Sequence, residues 1–240
     1  MSLPYLILPV ALALLLSSVI RQISGFGFAL LSMPLITFIA GIRVATPLVA
    51  LTAVVIGLLA FAPSWRDADR RALTSLLLAS VIGIPIGVLL VGRLPDEWVK
   101  RGLGALLIIF CIYSFIMPEL PTVGEGWATW LFGSISGLLT GALNTGGPPI
   151  VIYGTLRRWD PKSFRATLQI YFLFTSILAM TGHWLAGLWT WQVWQLFLYT
   201  LPALLAGLYF GEKINLMIPK RLFNRIIYTM LIVTGLLFFV

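Results

Sequence analysis

The stretch that decides the fold is residues 141–149, Gly-Ala-Leu-Asn-Thr-Gly-Gly-Pro-Pro, which interrupts a long apolar sequence. A similar stretch, residues 21–28, reads Arg-Gln-Ile-Ser-Gly-Phe-Gly-Phe and lies at the equivalent place in the first half of the chain. We call residues 21–28 the first break and residues 141–149 the second break. Non-helical backbone within a membrane is tolerated only where it is buried in protein or lines a watery cavity. Paired interruptions in two repeats are typical of the substrate site of a transporter.

The composition is that of a membrane protein. Hydrophobic residues make up 60% of the 240 residues, charged residues make up 10%, and the mean hydropathy is +1.01. Soluble globular proteins carry about 25% charged residues. The apolar runs are long and continuous, which fits transmembrane helices and does not fit the alternating strands of a membrane β-barrel. We therefore predict an all-α polytopic membrane protein.

The apolar segments follow one another along the whole chain. We expect helical segments at about 3–20, 26–40, 44–63, 72–92, 102–117, 127–143, 148–156, 166–182, 190–210 and 222–240. Because the first segment has no basic region before it and is long, we interpret it as a retained span and not as a signal peptide. Segment 148–156 is shorter than the roughly 20 residues that cross a bilayer. The segments beside each break are therefore either half-helices that dip in and return, or a full span beside a tilted helix.

The two halves of the chain align with each other. An offset of 119 residues places Gly27 on Gly146, and after a small gap Pro95 meets Pro219. We therefore predict a single membrane domain built from two repeats of about five helical segments each. Because five is an odd number, the second repeat is expected to be inverted. The repeats are residues 1–118 and 119–240.

The basic residues predict an orientation. Cytoplasmic loops carry an excess of lysine and arginine. With loops 64–71, 118–126, 157–165 and 211–225 in the cytoplasm, that side has eleven cations and the opposite side has four, and both termini face away from the cytoplasm. The net charge of +8 therefore indicates orientation and not a nucleic-acid partner. The eleven are Arg66, Arg70, Arg71, Arg157, Arg158, Lys162, Arg165, Lys213, Lys220, Arg221 and Arg225; the four are Arg43, Arg93, Lys100 and Arg101.

All eight acidic residues lie in loops or at segment ends. Proton pumps and cation carriers place carboxylates inside the membrane, so the sequence disfavours a cationic substrate. A coupling proton or sodium ion stays open, although proton coupling would need a group other than a buried acid, such as the substrate itself. The eight are Asp67, Asp69, Asp96, Glu97, Glu119, Glu125, Asp160 and Glu212.

The first break contains the one cation that lies away from the loops. Placing Arg21 at the centre of a membrane helix costs about 2.5–3.5 kcal/mol on insertion scales, so it is expected to face protein, water or an anion. It either contacts substrate, or snorkels, or clamps the carbonyls of a broken helix. The candidate substrate-binding residues of this break are Arg21, Gln22, Ser24, Gly25, Phe26 and Gly27.

The second break offers hydrogen-bond donors. Glycine lets backbone N–H groups approach a ligand closely, and the helix that follows directs its positive end at the break. The alternative is that these glycines only allow close helix packing. The candidate substrate-binding residues here are Asn144, Thr145, Gly146 and Gly147. On the next segment, Arg165 is either a cytoplasmic anchor or a substrate contact, and Gln169 is either interhelical glue or a ligand contact.

Motifs of enzymes are missing from the sequence. It contains no His-Glu-x-x-His and no Gly-x-Ser-x-Gly, and the Gly-x-Gly at 25–27 does not open a βαβ unit. We predict no catalytic residue, no metal site and no cofactor. The single cysteine, Cys111, is interpreted as a packing residue. His183, next to Trp184, is interpreted as structural, with proton handling as the alternative.

The residues around both breaks resemble the sulfite exporter TauE/SafE family of membrane proteins. The resemblance rests on Gly25-Phe26-Gly27-Phe28 with Pro34 following, on the stretch 145–153, and on the stretch 160–167 that starts the next segment. It covers nearly the whole chain. It implies a permease for sulfite, for sulfonates such as sulfoacetate, or for another sulfur-containing or organic anion, in the cytoplasmic membrane of a bacterium. This chain differs from the family's usual pattern at the second glycine run, which reads Gly146-Gly147-Pro148 here.

Three functions are compatible with these features. The first is a secondary transporter, expected to be an exporter, that binds a small anion between the two breaks and works by alternating access. The sequence has no ATPase motif, so a gradient or the membrane potential would supply the energy. The second is a passive anion channel, and the third is a non-transporting membrane subunit whose glycines only pack helices. The lipid bilayer is the expected environment, and a homo-oligomer is compatible with the sequence.

Overall fold

A computed structural model describes residues 3–25, 27–64, 66–116, 122–124, 126–215, 229 and 231–239; the side chains of 24, 62–64, 115–116 and 214–215 are outside this description. Nine α-helices lie in the described residues up to 215, and residues 231–237 are also helical. The nine are α1 (Leu3–Ser24), α2 (Phe28–Ala40), α3 (Ile42–Ser64), α4 (Arg70–Arg93), α5 (Asp96–Ile116), α6 (Trp127–Leu143), α7 (Gly147–Leu156), α8 (Pro161–Leu185) and α9 (Trp191–Asn215).

The prediction of an all-α membrane protein is confirmed. Among the described residues, five helices are long and apolar enough to cross a membrane, namely Leu3–Ile23, Ile42–Phe61, Arg70–Arg93, Pro161–Leu185 and Trp191–Lys213. Helix α2 is apolar but shorter. The predicted segments match the nine helices in order. The last predicted segment, 222–240, lies largely outside the described residues.

Two helices begin earlier than their apolar segments predicted, and charged residues lie at the start of both. Helix α8 begins at Pro161 and not near residue 166, because Asp160 caps it by accepting hydrogen bonds from the backbone N–H groups of Lys162 and Ser163, both at 3.0 Å. Helix α5 begins at Asp96 and not near residue 102, with two acidic residues in its first turn. Acidic residues at the N-terminus of a helix interact favourably with its macrodipole. An apolar criterion cannot detect such starts.

The chain forms two compact units, and each draws on both halves of the sequence. Unit 1 consists of Met1–Val49, Leu94–Met117 and Trp189–Val240, and contains α1, α2, α5 and α9. Unit 2 consists of Ala50–Arg93 and Pro118–Leu188, and contains α4, α6, α7 and α8. The boundary falls within α3. The first break lies in unit 1 and the second break lies in unit 2.

Unit 2 is built on the close packing of α4 against α6. Gly83 and Gly87 of α4 face the α6 backbone so closely that a Cβ on Gly83 would clash with the carbonyl oxygen of Ser134. A Cβ on Gly87 would clash in the same way with the carbonyl oxygen of Leu138. Glycines spaced by four allow such an approach of two helices in a membrane.

Unit 1 repeats this arrangement with α1 against α9. A Cβ on Gly207 of α9 would lie 2.5 Å from the carbonyl oxygen of Leu15, and one on Gly211 would lie 2.8 Å from the Cα of Val19. Leu15 and Val19 are the residues that the offset of 119 places on Ser134 and Leu138. The two helix pairs therefore share one contact register. The division into two inverted repeats, 1–118 and 119–240, stays an inference from the sequence, and this register favours it.

Three of the loops that were predicted to share a side of the membrane meet within unit 2. Lys162 forms an ion pair with Asp67 at 3.0 Å, which joins loops 64–71 and 157–165. The backbone N–H of Val123 donates to the carbonyl of Leu156 at 3.2 Å, which brings the loop before α6 to the end of α7. These contacts agree with one shared side for the three loops.

Candidate functional site

The second break begins where α6 ends in a left-handed residue. Asn144 has φ 53° and ψ 17°, and its backbone N–H donates to the carbonyl of Thr140 at 2.9 Å. The backbone N–H of Thr145 donates to the carbonyl of Leu139 at 3.3 Å. Asparagine adopts this conformation more readily than most side chains. Asn144 therefore lies at a position where the backbone conformation favours Gly, Asn or Asp, and its side chain is buried, with the residue 8% exposed.

Gly146 is required for steric reasons and not for its conformational freedom. Its φ of −70° suits any residue. A Cβ there would clash with Thr140 Oγ1 and would lie 2.5 Å from the carbonyl oxygen of Ser136. The packing interpretation therefore explains the glycine at 146. Gly147 differs, because the nearest atom to its Cβ position is Phe172 Cζ at 3.5 Å, an ordinary contact.

A chain of three buried hydroxyl groups ends at the carbonyl of Gly146. Ser136 Oγ donates to this carbonyl, Tyr171 OH donates to Ser136 Oγ at 2.8 Å, and Ser80 Oγ lies 2.6 Å from Tyr171 OH. These side chains come from α6, α8 and α4, and each is 0% exposed. The second break is thus tied to the three long helices of unit 2.

Helix α7 leaves few free amides at this break. The first N–H groups of a helix have no partner within it, but Pro148 and Pro149 carry no N–H group. Gly147 therefore supplies the first N–H group of α7. Of residues 141–150, all of which the structure describes, Gly147 alone is partly exposed. An approaching ligand would reach the break at this residue.

Thr145 adds a buried hydroxyl to the second break. Its side chain is 1% exposed, and its Oγ1 makes no hydrogen bond to any of the described residues. A buried hydroxyl without a partner costs roughly 1–3 kcal/mol. A ligand that accepted its hydrogen bond would recover this free energy, which is the chemistry expected of an oxyanion site.

The first break uses glycine for conformation. Gly25 and Gly27 both have positive φ angles, of 82° and 99°. The N–H of Gly25 donates to the carbonyl of Arg21 at 2.8 Å, and Gly27 is the N-cap of α2. Any L side chain at these positions would be strained by about 1–2 kcal/mol. Phe26 and the side chain of Ser24 lie outside the described residues.

Arg21 and Gln22 form a polar chain from α1 to α9. Arg21 Nη1 donates to Gln22 Oε1 at 3.0 Å, and Gln22 Nε2 donates to the carbonyl of Leu208 at 3.3 Å. Both bonds are partly buried. No carboxylate among the described residues lies within ion-pair distance of Arg21. Within the part of the chain that the structure describes, no acidic side chain therefore neutralises the guanidinium beside the break.

The structure separates the two candidates on α8. Arg165 is exposed in the first turn of the helix, whereas Gln169 is half-buried one turn farther along. Phe172, the α8 residue beside Gly147, follows Gln169 by three positions, which places the two on one helix face. Phe172 follows Arg165 by seven positions, which is about 10 Å along the helix axis. Gln169 is therefore the nearer of the two to the second break along α8.

The sequence interpretation missed the residues that support the second break. Ser80, Ser136 and Tyr171 are ordinary residues of apolar helices, and only the fold brings them together. A signal was present in α6, where glycines recur at 133, 137 and 141 and mark the face that packs on α4. Ser136 and Thr140 lie on this face, so polar residues next to such a glycine stripe are candidates for a buried network.

Comparison with known protein families decides the assignment. The family model described as "Sulfite exporter TauE/SafE" matches residues 10–238. The chain belongs to the sulfite exporter TauE/SafE family. The resemblance recognised in the sequence is thus confirmed. Comparisons with curated proteins and with solved structures returned no match.

Membership of the TauE/SafE family fixes the broad role of the chain. It is an integral membrane protein of a transporter family, and five of its described helices are long and apolar enough to cross a membrane. A small anion is the kind of substrate that this family implies, and the lipid bilayer is its environment. The family is one of transporters and not of enzymes.

Proposed function

We propose that the protein is a secondary transporter that exports a small sulfur-containing or organic anion, such as sulfite or a sulfonate, by alternating access. The observation that carries the proposal is made at the second break. There the buried hydroxyl of Thr145, which has no partner among the described residues, is two positions from Gly147, the partly exposed first residue of α7. This hydroxyl and the N–H group of Gly147 are both hydrogen-bond donors toward an oxyanion.

The electrostatics of the second break favour an anion. The N-terminus of α7 lies at the break. A helix N-terminus carries a partial positive charge of about half an elementary charge. Every acidic residue that the structure describes lies in a loop or near a helix end. Hydrogen bonds from backbone N–H groups to an oxyanion are about twice as strong as neutral ones. A sulfite or sulfonate group would therefore gain more here than an uncharged ligand.

The first break, considered by itself, supports the same substrate class. Helix α2 begins at Phe28, and the N–H of Leu31 donates to the carbonyl of Gly27 at 3.2 Å, so the three preceding N–H groups have no partner within the helix. Arg21 adds a positive charge, and no carboxylate among the described residues lies within ion-pair distance of it. The residues proposed to contact substrate stay those expected from the sequence: Arg21, Gln22, Ser24, Gly25, Phe26 and Gly27 at the first break, Asn144, Thr145, Gly146 and Gly147 at the second break, and Arg165 and Gln169 on α8.

The direction of transport follows from the charge of the substrate. With the protein in a bacterial cytoplasmic membrane, an inside-negative potential favours export of a monovalent anion by about 2.3 kcal/mol per 100 mV. The orientation proposed from the loop cations places both termini outside the cytoplasm. The membrane potential alone would then support export.

The test is a thermal-shift measurement on the purified protein with sulfite, sulfoacetate, taurine, thiosulfate, sulfate and small carboxylates. A ligand that binds only the folded state raises the melting temperature. We expect a selective rise with one class of sulfur oxyanion. Absence of a rise with every anion, together with tolerance of bulky residues at Gly27, would favour a subunit that only packs helices.

The structure also selects the variants for this test. Asn144→Ala would strain the left-handed backbone at φ 53°, and would lower stability for a reason unrelated to binding. Asn144→Gly removes the amide and keeps the conformation. Asn144→Asp keeps the size and replaces the amide by a negative charge. We expect both to abolish the anion-dependent shift, the aspartate more completely, whereas an undiminished shift in Asn144→Asp would contradict a site at the second break.

A further inference from the structure

We propose that Tyr171 and Ser136 are positioning residues that fix the peptide between Gly146 and Gly147, and with it the direction of the anion-binding N–H group of Gly147. This inference rests on the proposed function. The two side chains need not touch the anion themselves. They act through the backbone of the break.

The geometry of a single peptide carries the proposal. In a trans peptide, the carbonyl of one residue and the N–H of the next point in opposite directions. The carbonyl of Gly146 accepts a hydrogen bond from Ser136 Oγ and so points at α6. The N–H of Gly147 must therefore point away from α6. Gly147 is also the partly exposed residue of this stretch, so the N–H is held toward the side from which a ligand can approach.

Counting the hydroxyl hydrogens gives the chain of bonds one direction. Ser136 has one hydrogen, and the carbonyl of Gly146 can only accept, so that hydrogen belongs to this bond. The bond of 2.8 Å between Tyr171 and Ser136 must then be donated by Tyr171. Ser80 Oγ lies 2.6 Å from Tyr171 OH and also within hydrogen-bond distance of the carbonyls of Leu76, at 2.8 Å, and Gly133, at 3.0 Å. The order that reaches the break is Tyr171 to Ser136 to Gly146.

Tyr171 is the member that holds this order. Without its hydroxyl, Ser136 Oγ has no donor from α8, and its hydrogen is free to turn to the carbonyl one turn back in its own helix, as serine commonly does. The carbonyl of Gly146 would then lose its partner, and the peptide could rotate. The contacts of Gly146 with Thr140 and Ser136 fix where the peptide lies. The hydrogen bond fixes which way it faces.

A second buried tyrosine in unit 2 provides a matched control. Tyr153 is also 0% exposed, packs in the same hydrophobic cluster, and hydrogen-bonds through its hydroxyl to Thr129 Oγ1 at 2.8 Å. That bond ends on a threonine hydroxyl and not on the backbone of the break. Each change removes one buried hydroxyl, which makes two hydrogen bonds in Tyr171 and one in Tyr153. Only the hydroxyl of Tyr171 leads to the second break.

The experiment compares Tyr171→Phe with Tyr153→Phe, measuring Kd for sulfite and sulfoacetate and the melting temperature of each purified variant. We expect both melting temperatures to fall, that of Tyr171→Phe further, because its hydroxyl makes two hydrogen bonds and that of Tyr153 makes one. We expect the Kd of Tyr171→Phe to rise about tenfold, the cost of one misdirected hydrogen bond to a charged group, while Tyr153→Phe keeps the wild-type Kd. An unchanged Kd in Tyr171→Phe, or an equal rise in both variants, would overturn the inference.

Ser136→Ala tests the same step without altering an aromatic side chain. It should raise Kd as Tyr171→Phe does, and the double variant should add nothing further, because the two residues act in one chain. Additive effects would show that Tyr171 acts by another route. Failure of the wild-type protein to bind either anion would overturn the proposed function as well, whereas binding that is insensitive to Tyr171 and Ser136 would overturn this inference alone.

Discussion

His183 Nε2 lies 2.8 Å from the carbonyl oxygen of Gly141, which is in the last turn of α6 and is the first residue of the second break. Because a carbonyl can only accept, the ring nitrogen is the donor. The imidazole is 0% exposed, and its Nδ1 has no partner among the described residues. The histidine thus links α8 to the end of α6, which agrees with the structural role inferred from the sequence.

His183→Ala is expected to destabilise the protein. The change leaves the Gly141 carbonyl buried without its donor, at a cost of about 1–3 kcal/mol, and removes a buried ring. The measurement is the melting temperature together with the pH profile of transport. A structural role predicts a lower melting temperature with a profile of unchanged shape. A flattened pH profile would instead assign proton handling to His183.

Gly87→Ala is expected to separate α4 from α6. The new methyl group would meet the α6 backbone at Leu138 and Ala142, where rigid atoms cannot move aside. Overpacking of this kind costs about 1–3 kcal/mol. Gly92→Ala is the control, because it lies in the same helix with nothing within 4 Å of the Cβ position. Alanine in a helix is favoured over glycine by about 0.5–1 kcal/mol, so the control should keep or raise the melting temperature.

Gly146→Ala and Gly147→Ala should separate packing from binding at the second break. Alanine at 146 clashes with Thr140 and Ser136, so we expect a lower melting temperature. Alanine at 147 makes an ordinary contact with Phe172, so the melting temperature should hold. Its methyl group lies beside the proposed N–H donor, and we expect the Kd for the anion to rise several-fold. Wild-type affinity in Gly147→Ala would count against this donor.

Arg21→Gln is expected to weaken anion binding about tenfold, which is the loss of one charge-assisted hydrogen bond. Arg21→Lys, which keeps the charge, should retain part of the affinity. If Arg21 serves only to hold Gln22, the two variants would instead lower the melting temperature and leave the Kd unchanged. Isothermal titration with sulfite distinguishes these outcomes.

The helices could be predicted from the sequence because membrane helices are long, continuous and apolar. Helix α6 was expected at 127–143 and is found there. The start of α8 was misjudged because the cap at Asp160 is charged, and so is invisible to an apolar count. Continuous apolar runs predict the helices, whereas capping residues determine where they begin.

The candidate site could be predicted only in part. The two breaks could be predicted from the sequence, because glycine, asparagine and proline are typical of places where a helix ends. Ser80 and Tyr171 are 91 residues apart and meet only through the packing of α4 and α8. No pattern in one helix indicates a partner in another, so the network that supports Gly146 became visible only in the fold. The need for glycine at 146 likewise comes from Thr140 and Ser136 of α6, which leave no room for a Cβ.

The most direct test of the account is counterflow in proteoliposomes. Vesicles loaded with unlabelled sulfite or sulfoacetate would be diluted into a trace of the labelled anion, with the wild-type protein and with Asn144→Asp. A carrier that binds its anion at the second break predicts transient, saturable accumulation of label in the wild type and loss of accumulation in the variant. Flux that does not saturate and shows no accumulation would indicate a channel. Counterflow of equal size in Asn144→Asp would contradict the site.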